Sequence, residues 1–163
     1  MNRAEEIVVM WIIIGLILSG GKVMGNNLLE KISGYGITVT KDSSPAKIAE
    51  LMIKGLDNED IELLKQLVAV KHEKKEVDAI FAKYGKKSTV IPDEIANTVV
   101  AGWLLTYSFF AKGKTIITKT DIQGDRAIVY ATAKGRVNLE DRHIRINFIK
   151  EDGWWKATAG IHQ

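Results

Sequence analysis

The stretch GDRAIVYATAKGRVNLEDRHIRINFIKEDGWWKATAGI, residues 124–161, alternates apolar and polar side chains along most of its length. A period of two residues is typical of β-strands that bury one face. Residues 138–141 and Asp152-Gly153 interrupt the alternation with the polar and glycine residues that turns favour. Strands are therefore expected at 127–137, 143–149 and 156–161.

The alternation also extends upstream of this stretch. Residues 115–122 alternate as well, and Gly124-Asp125 supplies a turn before the next strand. Because consecutive strands joined by short turns usually pair with their neighbours, the four segments predict an antiparallel meander.

Two helices are predicted at the start of the folded body. Ser43-Ser44-Pro45 places a capping residue before a proline, which is a common start for a helix. Residues 58–60, Asn-Glu-Asp, break the helical spacing and cap a second helix. The apolar side chains that give each helix one buried face are Ile48, Leu51, Met52 and Leu56 in the first and Ile61, Leu64, Leu67 and Val68 in the second.

Two further helices precede the strands. The third is expected from about Glu73 to Tyr84, with Gly85 at a position where helices often end. The fourth opens at Pro92 and runs to about Ala111. It is apolar on nearly all sides, so it must be covered by a sheet, a partner subunit or both. Helices followed by an antiparallel meander predict an α+β fold, with the helices packed on one face of a curved sheet.

An apolar run at residues 7–18 stands near the start of the sequence. Ser19 and Gly21 follow it at the spacing of a signal-peptide cleavage site. An uncleaved membrane anchor fits as well if Lys22 extends its amine to the interface, and a buried core helix is the third interpretation. The first two predict one N-terminal hydrophobic helix, with the rest of the chain either an extracytoplasmic domain at the cell membrane or a secreted one. The expected division is 1–24 signal peptide or membrane anchor, 25–42 connector and 43–163 folded domain.

The composition excludes several classes of function. The net charge is +3, and the 23 basic and 20 acidic residues are interleaved without a basic face, so nucleic acid is not an expected partner. The absence of cysteine excludes disulfides, thiol nucleophiles and thiolate metal sites. The histidines, His72, His143 and His162, are scattered, so no metal site and no cofactor is expected.

Two parts of the chain resemble the nuclear-transport-factor-2-like (cystatin-like) superfamily. The segment SSPAKIAELMIKGLDNEDIELLKQLV, residues 43–68, is similar to its opening of a helix, a short acidic break and a second helix. Residues 124–127, Gly-Asp-Arg-Ala, and 152–156, Asp-Gly-Trp-Trp-Lys, resemble the closing strands of its bacterial extracytoplasmic branch. The resemblance covers about residues 43–161. It implies a cone in which a strongly bent antiparallel sheet wraps long helices, with an apolar hollow at the open end.

Enzymes of this superfamily, such as ketosteroid isomerases and polyketide cyclases, use a carboxylate base and a tyrosine or acid that stabilises an oxyanion. After the second helix, where such a base is expected, the one carboxylate is Glu73, which opens a mixed-charge run and is expected to be solvated. Asp78 lies beside the apolar face of its helix and not at its centre. The sequence therefore identifies no catalytic residue.

Three aromatic residues are the candidates for lining a pocket. Trp103 and Tyr107 lie one helical turn apart and could face the hollow together, with ordinary core packing as the alternative. Tyr130, on a predicted strand, is the third pocket candidate.

Three other residues are the candidates for an interface. His143 and Arg145 lie on the polar face of a predicted strand, which is either solvated or contacts a partner. In the last strand, alternation places Trp155 in the core and Trp154 on the opposite face. Trp154 is expected to be exposed there, where it either packs on the turn or contacts a protein.

The expected function is protein binding without catalysis, by a membrane-anchored or exported domain. The resemblance implies a homodimer or other homo-oligomer formed through the sheet. It also implies envelope proteins as partners, because similar domains behind one N-terminal helix occur in scaffolding components of conjugative secretion machines. The alternative is a small hydrophobic ligand binder or an enzyme that uses the cone pocket.

Overall fold

The computed structural model describes residues 30–137 and 139–162. The apolar run at 7–18, and with it the predicted signal peptide or anchor, lies outside these residues. Among the helices that are described, none combines the length and the apolar character needed to cross a membrane.

The described residues form a short hairpin, four helices and a sheet of four long strands, in that order. The hairpin strands are β1 (Ile32–Gly34) and β2 (Ile37–Val39). The helices are α1 (Pro45–Asn58), α2 (Ile61–Leu67), α3 (Val70–Lys83) and α4 (Pro92–Tyr107). The sheet strands are β3 (Phe110–Gln123), β4 (Arg126–Gly135), β5 (Arg142–Glu151) and β6 (Trp154–His162).

The sheet has the strand order β3-β4-β5-β6, and each neighbouring pair is antiparallel. The predicted α+β class and the antiparallel meander are both confirmed.

The first two helices begin where the local signals place them. Ser44 caps α1, and its hydroxyl accepts a hydrogen bond from the backbone N–H of Lys47 at 3.3 Å. Asp60 caps α2 in the same way, at 3.1 Å from the backbone N–H of Leu63. Between them Glu59 takes a left-handed conformation with φ of 55°, which ends α1 sharply.

The other two helices depart from the predicted bounds through long-range contacts. Helix α3 begins at Val70 and not near Glu73. Its first turn is capped by Glu151, whose carboxylate accepts from the backbone N–H of His72 at 2.6 Å. Helix α4 ends at Tyr107 and not near Ala111, because Phe110 already pairs with β4.

One face of the sheet, the inner face, is buried against the helices. Alternate residues of the strands lie there, and they form one core with the apolar faces of the helices. The inner-face residues are Ala127, Val129, Ala131 and Ala133 on β4, Ile144, Ile146 and Phe148 on β5, and Ala157 on β6.

The hairpin also belongs to this core. Ile32 and Val39 pair across it and are both buried, and turn residues Tyr35 and Gly36 have positive φ. Residues 32–39, which the sequence assigns to a connector, are therefore part of the folded unit, and that unit begins before Ser43.

The two edge strands of the sheet, β6 and β3, differ in whether another segment pairs with them. Beside β6, Val68 forms a parallel bridge with Ala157, and the backbone N–H of Ala69 donates to the Ala157 carbonyl at 2.8 Å. Beside β3, no strand among residues 30–137 and 139–162 pairs with the outer edge. The β6 edge is bridged at Ala157, and the β3 edge has no such bridge among the described residues.

Candidate functional site

The outer face of the sheet, which points away from the helices, carries an exposed group of aromatic, apolar and basic side chains. Thr132 on β4 pairs with Ile116 on one side and His143 on the other. Tyr130 likewise lies between Lys119 and Arg145. These cross-strand rows place their side chains on one surface, because directly opposed residues share a face.

Several side chains on this face are exposed to solvent, and one of them is apolar. Ile116 is 69% exposed, and His143 and Arg145 are exposed as well. Tyr130 is half-buried, and the Lys119 ammonium lies 5.5 Å from its ring centroid, within the range of a cation–π contact. The outer face therefore presents an aromatic ring and an isoleucine among cations, a mixture that is common in protein contacts.

The structure separates the three pocket candidates. Trp103 is fully buried, and its indole N–H points at the carbonyls of Thr158 and Ala159, each at 3.2 Å. Tyr107 is buried one turn further along, at the C-terminal end of α4, and Tyr130 lies on the outer face of the sheet. Trp103 thus fastens α4 to β6 and lines neither cavity described below.

Of the two closing tryptophans, Trp155 is buried as predicted. The Lys150 ammonium lies over its ring, 5.3 Å from the ring centroid. The prediction that Trp154 is exposed is wrong, since only 6% of it is accessible. The Lys156 ammonium lies 5.3 Å from the Trp154 ring and donates to the Gln66 carbonyl. The end of α2 runs beside this edge of the sheet, so the outer side of β6 is covered.

Burial also affects the charge of Lys156. Loss of hydration lowers the pKa of its amine to about 8, against the opposing pull of Glu151 and Asp152. The contact with Gln66 therefore holds a partly desolvated lysine at this edge.

The prediction that Glu73 is solvated is also wrong. Only 6% of this residue is exposed, and its carboxylate accepts a hydrogen bond from the backbone N–H of Ala159 at 2.8 Å. Burial raises the pKa of Glu73 to about 7, although that hydrogen bond lowers it, and the nearby Glu76 and Glu151 raise it further.

The local sequence holds no signal for this contact. The register between β5 and β6 shifts after the Phe148–Ala157 pair, so residues 158–160 leave the regular ladder and free the Ala159 N–H. Only the assembled sheet therefore brings a partner to Glu73. Its carboxylate lines neither of the two cavities described here, so it faces no substrate space in them.

A cavity of about 470 Å³ lies between α1 and the edge strand β3. One face of α1 lines it, with residues such as Ile53 and Asp57, and alternate residues of β3 line the other side. The β3 residues are Gly113, Thr115 and Ile117. A smaller cavity of about 210 Å³ lies near the end of α4 and includes Tyr107.

A buried polar chain crosses the wall of the larger cavity. The Tyr107 hydroxyl donates to Asp57 Oδ1 at 3.2 Å and lies 2.6 Å from Thr115 Oγ1. Because the single tyrosine hydrogen goes to the carboxylate, the threonine hydroxyl donates to Tyr107. Burial raises the pKa of Tyr107 to about 12, against the effect of the Thr115 bond and together with the Asp57 charge. Tyr107 therefore stays a donor at neutral pH.

Asp57 and Tyr107 are the kinds of residue that the resemblance implies for catalysis. The sequence interpretation missed this pair because it looked for a base after the second helix, whereas Asp57 stands at the end of the first. The one available signal was its place four residues after Ile53, which is buried on α1. The Tyr107 hydroxyl bonds to the carboxylate itself, so the contact that the structure shows positions Asp57.

Among the described residues, no three or more histidines, aspartates or glutamates are placed to hold a metal ion. The chain matches no protein-family model, no curated protein and no solved structure.

Proposed function

We propose that this chain is a membrane-anchored or exported domain of the nuclear-transport-factor-2-like type that acts by binding protein without catalysis. Its first partner is a second copy of itself, and an envelope or secretion assembly is the setting. The contact surface is the outer face of the sheet, centred on Tyr130 and Ile116.

The observation that carries this proposal is the exposure of that face. In one chain the helices pack on the inner face, and Ile116 stays 69% accessible beside the half-buried Tyr130. An aromatic residue beside Arg145, with an isoleucine in the neighbouring cross-strand row, is typical of the centre of an interface. Packing a second sheet there would remove this apolar area from water.

The membrane part of the proposal rests on the sequence at 7–18. The test is the intact mass of the protein from fractionated native cells. Full-length chain in the membrane fraction supports an anchor, whereas a soluble product that lacks roughly the first twenty residues supports export after cleavage. Full-length chain in the soluble fraction contradicts both.

Self-association is tested by sedimentation velocity of the full chain in density-matched detergent. We expect a dimer for the wild type and a monomer for Ile116→Asp, because a buried unpaired carboxylate would oppose the contact. The matched control is Leu105→Asp, since Leu105 is 68% exposed but lies on α4. A dimer that survives Ile116→Asp, or a monomeric wild type, would contradict this interface.

The second candidate function is binding of a small ligand. The cavity of about 470 Å³ favours it, because its volume falls in the range of ligand pockets. The test is a fragment screen by ligand-observed NMR on the full chain, with Ile117→Trp as the variant that fills the cavity. Binding that the tryptophan abolishes supports this candidate, and binding that it leaves unchanged contradicts it.

A further inference from the structure

We infer that the cavity between α1 and β3 binds a ligand that carries an ammonium group, with Asp57 as its anchor. The inference rests on the second candidate function, ligand binding in this cavity, and names the chemical class of the ligand.

Asp57 is the residue that points to a cation. Only 9% of Asp57 is accessible to solvent, and the residue lines the cavity. Tyr107 satisfies its Oδ1, and no other hydrogen bond to its side chain is formed by the described residues. Every side-chain oxygen of the described residues that is sealed from solvent has a hydrogen-bond partner, so the unpaired oxygen of Asp57 keeps contact with solvent. We place that contact in the cavity, because Asp57 lines it.

The described residues supply no cation of their own to this carboxylate. Lys47 and Lys54 also line the cavity, but both are exposed and neither comes within 4.0 Å of a carboxylate oxygen. A buried carboxylate with one neutral donor is incompletely compensated. An ammonium group gives the strongest available partner, because charge-assisted hydrogen bonds are about twice as strong as neutral ones.

Two apolar residues of the cavity lining fit an apolar body on that ligand. Ile53 and Ile117 face it from opposite sides, one from α1 and one from β3. A Cβ built on Gly113 would meet no atom within 4 Å, so the β3 side is unobstructed at this point. Two carboxylates line the cavity, the exposed Glu50 and the buried Asp57. The site therefore combines one buried anionic anchor with two apolar walls, which suits a primary amine on a short hydrocarbon.

Three probes of similar shape test the head group: 2-phenylethylamine, 2-phenylethanol and 3-phenylpropanoate. Each is titrated into the full chain in detergent, and binding is followed through the backbone amide signals of Gly113 and Thr115. We expect the amine to bind about tenfold more tightly than the alcohol, the ratio for a charged against a neutral hydrogen bond. The carboxylate should not bind.

Asp57→Asn is the decisive variant, because the amide keeps the shape and can still accept from Tyr107. We expect it to reduce the affinity for the amine to that for the alcohol. The matched control is Asp78→Asn, which removes a helical carboxylate that is paired with Lys74 on α3. This control should leave the ranking of the three probes unchanged.

The failures are distinguishable. Equal affinity for amine and alcohol in the wild type, or an amine preference that survives Asp57→Asn, overturns the ammonium inference but leaves ligand binding in the cavity standing. No shift at Gly113 and Thr115 with any probe at millimolar concentration overturns both. If the variant does not fold, the ranking of the probes on the wild type decides alone.

Discussion

The two edges of the sheet differ in how completely the chain covers them. At the β6 edge Val68 forms a bridge with Ala157. The side chains of Trp103 and Glu73 bind the backbone of residues 158–159, and Lys156 covers the outward-facing Trp154. At the β3 edge the strand pairs on one side only, a cavity lies between part of it and α1, and Ile116 is exposed.

This difference separates the residues that stabilise the fold from those available for binding. Polar groups at the β6 edge already have hydrogen-bond partners within the chain, so substitutions there should lower the free energy of unfolding. Exposed side chains on the outer face, such as Ile116, make few internal contacts, so changes there should affect binding and leave stability nearly intact.

The largest effect on stability is expected for Trp103→Ala. The substitution opens a large cavity in the core and leaves two carbonyls without the indole donor. We expect the free energy of unfolding to fall by about 3–5 kcal/mol. Urea unfolding measures it, and Trp103→Phe, which keeps most of the volume, should lose only about 1–2 kcal/mol. Equal losses for both variants would contradict the role of the buried ring volume, because both variants lack the indole donor.

The next largest effect is a pH dependence from Glu73. The folded chain holds this group protonated up to a pKa of about 7, whereas the unfolded chain ionises it near 4.5. The folded state therefore binds more protons between these values. The free energy of unfolding should fall as pH rises through this window and level off above it, by about 3 kcal/mol in all.

Glu73→Gln isolates this contribution, because glutamine does not titrate. Urea unfolding at several pH values should show the stability of the variant gaining on the wild type by about that amount from pH 4.5 to above 7. Glu62→Gln, which changes an exposed carboxylate on α2, is the control and should keep the pH dependence of the wild type, because Glu73 is intact in it. A constant difference between Glu73→Gln and the wild type would mean that Glu73 is not buried as described.

A smaller effect is expected for the cap of α3. Glu151→Ala removes the acceptor of the first-turn N–H groups, and we expect a loss of about 1 kcal/mol in the free energy of unfolding. Ser44→Ala, which removes the local cap of α1, should cost a similar amount. An unchanged stability for Glu151→Ala in urea unfolding would show that the distant carboxylate does not cap the helix.

The smallest effect on stability is expected at Ile116. Because the side chain is mostly in water, Ile116→Asp should change the free energy of unfolding by less than about 0.5 kcal/mol while it abolishes self-association. Urea unfolding below the dimer concentration range measures the first quantity. A large loss of stability there would place Ile116 in the fold and not at an interface.

What the sequence predicts correctly is local. Ser44-Pro45 and Asp60 set the starts of α1 and α2, and the two-residue period locates every strand of the sheet. These signals act within a few residues, so they are readable without the fold.

What the sequence does not reveal depends on contacts between distant residues. Glu73 is buried by a register shift in β6, and α3 starts early because Glu151 caps it from across the fold. Trp154 is covered because the end of α2 runs beside the sheet edge. In the sequence Asp57 is only a residue near the end of a helix, because its hydrogen bond to Tyr107, and that of Tyr107 to Thr115, form only in the folded chain.

The most direct test of the central claim, that the outer face is the contact surface, uses the absence of cysteine in the chain. Ile116→Cys and Leu105→Cys each introduce one thiol at a similarly exposed position, and a short bismaleimide is applied to native membranes. We predict a band of dimer mass for Ile116→Cys and none for Leu105→Cys. Equal crosslinking of the two variants, or none at Ile116→Cys, would contradict the account.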